Sequence, residues 1–136
     1  MPDTTKPFQD SALTNILVVS DLAAAKTFYL DQLGGELYRE YNESSVLLRF
    51  LGSWIWLTTP GGPTHDKPET DFVAPADPHK VSHAFTIRVQ DCRASYKILK
   101  ERGISFITPP YAHGPETRCF FRDPDGHLFE ISEYQG

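Results

Sequence analysis

A weak internal repeat is the feature of this sequence that most restricts how the chain can fold. The segment VVSDLAAAKTFYLDQLGG begins at Val18, and RVQDCRASYKILKERG begins at Arg88. Each segment has the pattern of a strand end, then valine, any residue and aspartate, then an amphipathic helix that stops at glycine. The two aspartates, Asp21 and Asp91, lie at an offset of 70 residues. Two copies of one unit in the same order predict a fold built from two similar modules.

The later part of each copy aligns as well. The segment LGSWIWLT from Leu51 matches DGHLFEIS from Asp125, and Gly52 falls on Gly126 at an offset of 74 residues. Each half therefore predicts one strand, one helix and three further strands. We expect an α+β protein with tandem βαβββ modules.

The first half predicts a strand over 13–20 and a helix that begins after Asp21. The Asp21 carboxylate can accept hydrogen bonds from the free N–H groups of the first helical turn. The helix continues through Leu33 and should stop at Gly34 and Gly35, where a left-handed residue is easily accommodated. The three strands that follow are predicted over 36–42, 45–51 and 53–59.

The second half repeats this order. It predicts a strand over 81–89, a helix from the N-cap Asp91 to Arg102 that ends at Gly103, and strands over 104–108, 117–122 and 128–133. The last two strands flank the segment DPDG, a strong turn signal, and therefore predict a hairpin.

The expected organisation is one domain over 1–136, with module one over 12–60 and module two over 81–134. The segment 61–80 connects them and contains Pro63, Pro68, Pro75 and Pro78. It is long for a plain connection and too polar for a core. Two interpretations stay open for it, a solvated linker and a lid over a binding cleft.

Composition excludes several classes of function. The net charge of −5 argues against a nucleic-acid partner, because phosphate binding needs clustered Lys and Arg. No apolar run approaches the roughly 20 residues of a membrane span. The opening residues lack the apolar stretch of a signal peptide, which predicts a cytoplasmic protein with no membrane partner. Cys92 and Cys119 predict neither a disulfide framework nor a zinc site, and we expect Cys92 to be a packed residue.

The repeated βαβββ module, with Val-x-Asp after its first strand and DPDGHLFEI near the end of the chain, resembles the vicinal oxygen chelate superfamily. That superfamily contains glyoxalase I, extradiol dioxygenases, fosfomycin-modifying enzymes and bleomycin-binding resistance proteins. The resemblance covers about 12–133, and the helix AAAKTFYLDQLGG adds Phe-Tyr and Leu-Gly pairs typical of a first module. It implies a curved mixed sheet around a ligand cleft, helices outside the sheet, and a homodimer.

The resemblance also implies up to four metal-ligand positions, which fall on Thr14, Trp56, Ala84 and Glu130. Tryptophan and alanine cannot coordinate a metal, and one carboxylate rarely binds a divalent ion tightly. We therefore predict no metal cofactor. The alternative is a divalent ion (Fe, Mn, Zn or Ni) held by Glu130 and by His83, which a β-bulge would turn inward, with help from loop histidines.

Strand alternation places Trp54 and Trp56 on one face, where their indoles suit an aromatic or apolar ligand. They could also fill space between sheets or lie in a dimer contact. Alternation does not decide the face of Arg118 and Arg122. Arg118 could bind an anion if it points inward, or the arginines could form surface ion pairs. Glu130 is a candidate general base. The candidate ligand-binding residues are Thr14, Trp54, Trp56, Ala84, Thr86, Arg88, Tyr111, His113 and Arg118.

Three functions remain open on the sequence. The first is a metal-free protein that binds a small, aromatic or apolar molecule. The second is a lyase or dioxygenase that depends on a divalent metal and uses Glu130 with His83. The third is a ligand-free assembly protein. The sequence leaves open whether the chain is an enzyme at all.

Overall fold

Two modules of the same topology make up the structure, a computed structural model that describes residues 5–135. The first module contains β1 (Thr14–Val18), α1 (Leu22–Lys26) with a π-helical continuation (Thr27–Gln32), β2 (Glu36–Tyr41), β3 (Ser45–Phe50) and β4 (Ser53–Thr58). The second contains β5 (Ala84–Arg88), α2 (Cys92–Glu101), β6 (Tyr111–His113), β7 (Glu116–Arg122) and β8 (Leu128–Tyr134).

Each module forms one four-stranded mixed sheet. The strand order is β1-β4-β3-β2 in the first sheet and β5-β8-β7-β6 in the second. The first strand of each module pairs in parallel with the last, and the other pairs are antiparallel. The prediction of an α+β fold with tandem βαβββ modules is confirmed.

The ends of both helices follow the residues that the repeat singled out. Asp21 accepts a hydrogen bond from the backbone N–H of Ala24 at 3.1 Å, and Asp91 accepts one from Ala94 at 3.0 Å. Gly103 follows α2 with φ of +92°, in the left-handed region that favours glycine. The helix boundaries were thus readable from local chemistry.

The predicted strand over 104–108 is wrong. Only an isolated bridge joins Phe106 to Phe121, while Ile104 is 3% exposed and packs into the core. Ladder pairing with β7 resumes in β6, beyond Pro109 and Pro110. Proline lacks the N–H that a ladder needs, so the fourth strand of this sheet forms after the prolines rather than before them.

One hydrophobic core serves both modules. Phe28 of the first module lies 6.2 Å, between ring centroids, from both Phe121 and Phe129 of the second. The Tyr29 hydroxyl donates to Asp123 Oδ2 at 2.8 Å, and both residues are buried. Burial is the main cause that raises the pKa of each of these two groups. The modules are therefore joined by packing and by a buried hydrogen bond.

The segment 61–80 has an ordered path along the second module. Gly61 and Phe72 exchange two backbone hydrogen bonds, and the Pro78 carbonyl accepts from Arg122 Nε at 3.3 Å. Its function as linker or lid stays a prediction. Among residues 5–135, no helix is long and apolar enough to cross a bilayer.

Candidate functional site

Each sheet packs one side against the shared core and leaves its other side open. In β4, Ile55 and Leu57 are buried in the core. Trp54 and Trp56, which alternate with them along the strand, point to the open side. This is the alternation expected of a half-buried strand. The two open sides are chemically different: the first sheet has an aromatic face and the second a polar face.

The aromatic face is the open side of the first sheet, where four rings form two pairs. Tyr38 meets Trp54 edge to face with ring centroids 5.0 Å apart. Tyr41 stacks on Trp56 at 5.1 Å, with the ring planes 7° apart. Ile16 pairs with Trp56 in the ladder and is 52% exposed. The face combines large apolar surface with indole and phenol groups, a combination typical of small-molecule sites.

The polar face is the open side of the second sheet, and a chain of polar contacts crosses it. Thr86 Oγ1 donates to Glu130 Oε1 at 2.9 Å, and Arg118 Nε lies 3.9 Å from Glu130 Oε2. Arg118 Nη1 lies 3.5 Å from Glu116 Oε1, while Ser132 Oγ donates to Glu116 Oε2 at 2.5 Å. Glu130 is only 8% exposed, and these partners satisfy the buried carboxylate.

The faces of the two arginines of β7 are decided by the ladder with β8. Arg118 pairs with Ser132, Phe120 with Glu130 and Arg122 with Leu128. All three side chains of β7 therefore share the polar face. Glu116 has no distinctive sequence context, yet it bridges Arg118 and Ser132 here.

The loop candidates lie at the edge of the same sheet. Tyr111 pairs with Arg118 and His113 with Glu116, and both β6 side chains are exposed. Their rings are 5.1 Å apart. Ala84 and Arg88 stand at the two ends of β5, and Arg88 Nη1 donates to Ser132 Oγ at 3.3 Å. Apart from Thr14, Trp54 and Trp56, all seven candidate ligand-binding and base residues thus belong to the second sheet or its edge.

The structure does not bring His83 to Glu130. The pairing of β5 with β8 runs without a register shift, and the His83 ring packs edge-on against Phe85 at 4.7 Å. Phe85 stacks on the core residue Phe129 at 4.8 Å, on the side opposite Glu130. His127 is a structural residue, since its Nε2 lies 2.8 Å from the Val18 carbonyl and joins the two modules.

The side chains at the four implied metal positions do not form a usual donor set for a divalent ion. Of the four positions implied by the resemblance, Thr14 and Trp56 lie in the first sheet and Ala84 and Glu130 in the second. Across residues 5–135, no three His, Cys, Asp or Glu side chains converge on one point. The Arg118 guanidinium beside Glu130 would also repel a cation there.

Thr14 lies in the first sheet and Glu130 in the second. Within residues 5–135, no hydrogen bond, ion pair or ring contact joins the aromatic face to the polar face. Sequence reasoning missed Tyr38, Tyr41, Arg39 and Arg49, which complete the aromatic face. Alternation from Trp56 through the β3 ladder could have found Arg49, whereas Tyr38 depends on a register shift in β2.

Both cysteines are buried at the packing of α2 on the second sheet. Their sulfur atoms are 4.0 Å apart. Burial is the main cause that raises the pKa of both thiols, to about 12 for Cys119. A thiol held protonated is a poor nucleophile, which agrees with the expectation that Cys92 is a packing residue.

Comparison with known proteins gives consistent matches. The sequence profile of the Glyoxalase/Bleomycin resistance protein/Dioxygenase superfamily matches residues 11–131. The glutathione transferase FosA of Serratia marcescens is 28% identical over 116 residues, which are 85% of this chain and 74% of that protein.

Solved structures share the fold. A glyoxalase/bleomycin resistance protein/dioxygenase from Alicyclobacillus acidocaldarius superimposes with a TM-score of 0.71 and 22% identity, over 96% of each chain. FosX from Listeria monocytogenes, a fosfomycin resistance protein solved with Mn(II) and a dihydroxypropylphosphonic acid, has a TM-score of 0.63 and 20% identity. The match covers 93% of this chain and 90% of FosX.

Proposed function

Because the chain belongs to the glyoxalase/bleomycin resistance protein/dioxygenase superfamily, we propose that it binds a small organic molecule on the aromatic face, without a metal ion. The observation that carries the proposal is the set of four rings on one open sheet side, of which Tyr38 is 58% exposed. Exposed aromatic side chains in one patch are typical of a binding surface rather than of ordinary solvent-facing sheet.

The rings are arranged to receive a flat apolar group. The Tyr41 and Trp56 rings are stacked in nearly parallel planes, and Ile16 and Leu47 lie in ladder register with Trp56 on either side. A ring placed on this surface would replace water on apolar carbon, which stabilises the complex by roughly 25 cal/mol per Å² buried. Tyrosine and tryptophan also lose little conformational entropy on binding.

Within the same proposal, the polar face takes part in a contact between two copies of the chain. We propose a cytoplasmic homodimer in which the polar face of one copy approaches the aromatic face of the other, so that Thr14 and Glu130 of different chains border one cleft. The support is that no hydrogen bond, ion pair or ring contact joins the two faces within residues 5–135, although the family resemblance implies a single cleft. Light scattering after gel filtration should give twice the 15.4 kDa chain mass.

A metal-dependent lyase or dioxygenase is the second candidate. The retained acid favours it, because Glu130 is buried on the polar face and oriented by Thr86. The similarity to FosA, a glutathione transferase, points the same way, toward an enzyme. In a metal-dependent enzyme of this kind, Glu130 would serve as a metal ligand or as the base. The other metal ligands would be groups that do not contact Glu130 in this structure.

The two tryptophans of this chain, both on the aromatic face, provide the test. Their two indole N–H signals in a nitrogen-15 correlation spectrum would be followed during titration with three naphthalene derivatives: 2-naphthol, 2-naphthalenesulfonate and 2-naphthylmethylammonium. Saturable shifts with at least one probe, unchanged by EDTA, are expected. Shifts that vanish with EDTA and in Glu130→Gln would support the metal-dependent candidate instead.

A matched pair of variants locates the binding. Tyr38→Ala should raise the dissociation constant of a bound probe about tenfold, as expected for loss of one aromatic contact. Phe8→Ala removes a ring that is 82% exposed on the N-terminal segment and should leave it unchanged. If none of the three probes moves either indole signal, the proposed function is wrong.

A further inference from the structure

Two arginines flank the rings of the aromatic face. The Arg49 guanidinium carbon lies 4.4 Å from the Trp54 ring centroid, and that of Arg39 lies 5.7 Å from the Tyr38 centroid. With the edge-to-face contact of Tyr38 on Trp54, the four side chains form a row across β2, β3 and β4: Arg39, Tyr38, Trp54 and Arg49. Each of the two adjoining rings therefore has one guanidinium close to it.

A β-bulge produces this row. The pairing of β2 with β3 shifts register between Leu37, opposite Leu48, and Arg39, opposite Leu47. Leu48 is buried in the core, whereas Leu47 belongs to the open side. The bulge thus inserts Tyr38 so that two successive residues, Tyr38 and Arg39, both serve the aromatic face, which plain alternation forbids.

The charges of the row are available to a ligand. Within residues 5–135, neither Arg39 nor Arg49 has a carboxylate within ion-pair distance. Arg49 Nη2 donates to the Gly52 carbonyl at 3.2 Å, which holds the guanidinium over Trp54. Glu36, opposite Arg49 in the ladder, is the acidic side chain nearest in register. Its single negative charge does not cancel the two arginines, so the row keeps a net positive charge.

Building on the proposed function, we propose that the ligand of the aromatic face is a planar aromatic anion. Its ring would lie against the rings of the face, and its acid group (carboxylate, sulfonate or phosphate) would pair with Arg49 or Arg39. Guanidinium groups pair with such oxygen acids through two N–H donors at once. A cationic ligand would gain ring contacts but meet two like charges, and a neutral ring would lack the ion pair.

The three naphthalene probes test the charge preference, because they share one ring system. The expected dissociation constant of 2-naphthalenesulfonate is about tenfold lower than that of 2-naphthol and lower still than that of the ammonium probe, a difference in the range of a partly exposed ion pair. Raising the salt concentration should weaken the binding of 2-naphthalenesulfonate but not that of 2-naphthol, because salt screens the ion pair.

Charge-removing variants assign the preference to the row. Arg49→Gln and Arg39→Gln should each weaken sulfonate binding about three- to tenfold and leave 2-naphthol within about twofold. Arg93→Gln removes the same charge from the exposed side of α2 and serves as the control for net charge. Folding of each variant is checked by the two indole signals without probe.

The outcomes separate this inference from the proposed function. Equal binding of the three probes, tighter binding of the ammonium probe, or sulfonate binding that is insensitive to both arginine variants would overturn the anion preference while leaving an aromatic site intact. Absence of any probe-induced indole shift would contradict the aromatic site itself, and the anion preference with it.

Discussion

Tyr29 and Asp123 show how one pair of side chains connects the two modules. The Tyr29 hydroxyl donates to Asp123 Oδ2, while Asp123 Oδ1 accepts from the backbone N–H groups of Asp125 and His127 at 3.0 and 2.8 Å. One carboxylate therefore shapes the β7–β8 turn and binds the first module's helix. A buried acid that is satisfied this fully is stabilising only as long as every partner stays.

Replacing Tyr29 by phenylalanine should lower the free energy of unfolding by about 1–3 kcal/mol, because it leaves one buried carboxylate oxygen without its donor. The measurement is urea denaturation. Tyr96→Phe is the control, since the Tyr96 hydroxyl only accepts from Lys100 Nζ at 3.3 Å at the surface. An equal decrease in the free energy of unfolding in the two variants would show that the buried hydrogen bond adds no more stability than the surface one.

At the scale of elements, the helices follow local chemistry and the strands follow their neighbours. Both N-caps and both glycine stops stand where the repeat places them. The fourth strand of the second sheet, by contrast, is displaced past two prolines, and β2 carries a bulge. A helix closes its hydrogen bonds within itself, whereas a strand depends on the register of its partner.

The cap of α2 gives an element-scale prediction. Asp91→Ala should lower the free energy of unfolding by about 1 kcal/mol, because the Ala94 N–H loses its acceptor. Asp91→Asn keeps a side-chain oxygen at the same place and should stay within a few tenths of a kcal/mol of the parent protein. Urea denaturation of the three proteins checks this, and an asparagine variant as weak as the alanine variant would contradict the capping argument.

At the scale of the whole molecule, the shared core makes the modules interdependent. Phe28 and Tyr29 pack against the second sheet, Ser20 N donates to Asp125 Oδ1 at 3.0 Å, and Gln32 Nε2 donates to the Arg102 carbonyl at 2.9 Å. Each module thus buries apolar surface that the other supplies. Two modules that share one core in this way should unfold in one step.

The chain carries a natural reporter residue in each module, so this is testable without introducing a new residue. Both tryptophans lie in the first module, and both buried cysteines lie in the second. We expect the urea midpoints from tryptophan fluorescence and from pulsed thiol labelling to coincide. Thiols that become reactive at clearly lower urea than the fluorescence change would mean that the second module opens independently.

The amino-acid sequence by itself determined the modular fold, the helix ends and the side of β4 on which Trp54 and Trp56 lie. These features depend on local repetition, capping and alternation, which short sequence segments are enough to show. The tertiary structure alone decided that Arg118 shares the side of Glu130, that Tyr38 joins Arg39 on the aromatic face, and that Tyr29 reaches Asp123. Each of these needs a strand register or a contact between distant segments, and local periodicity carries no information about either.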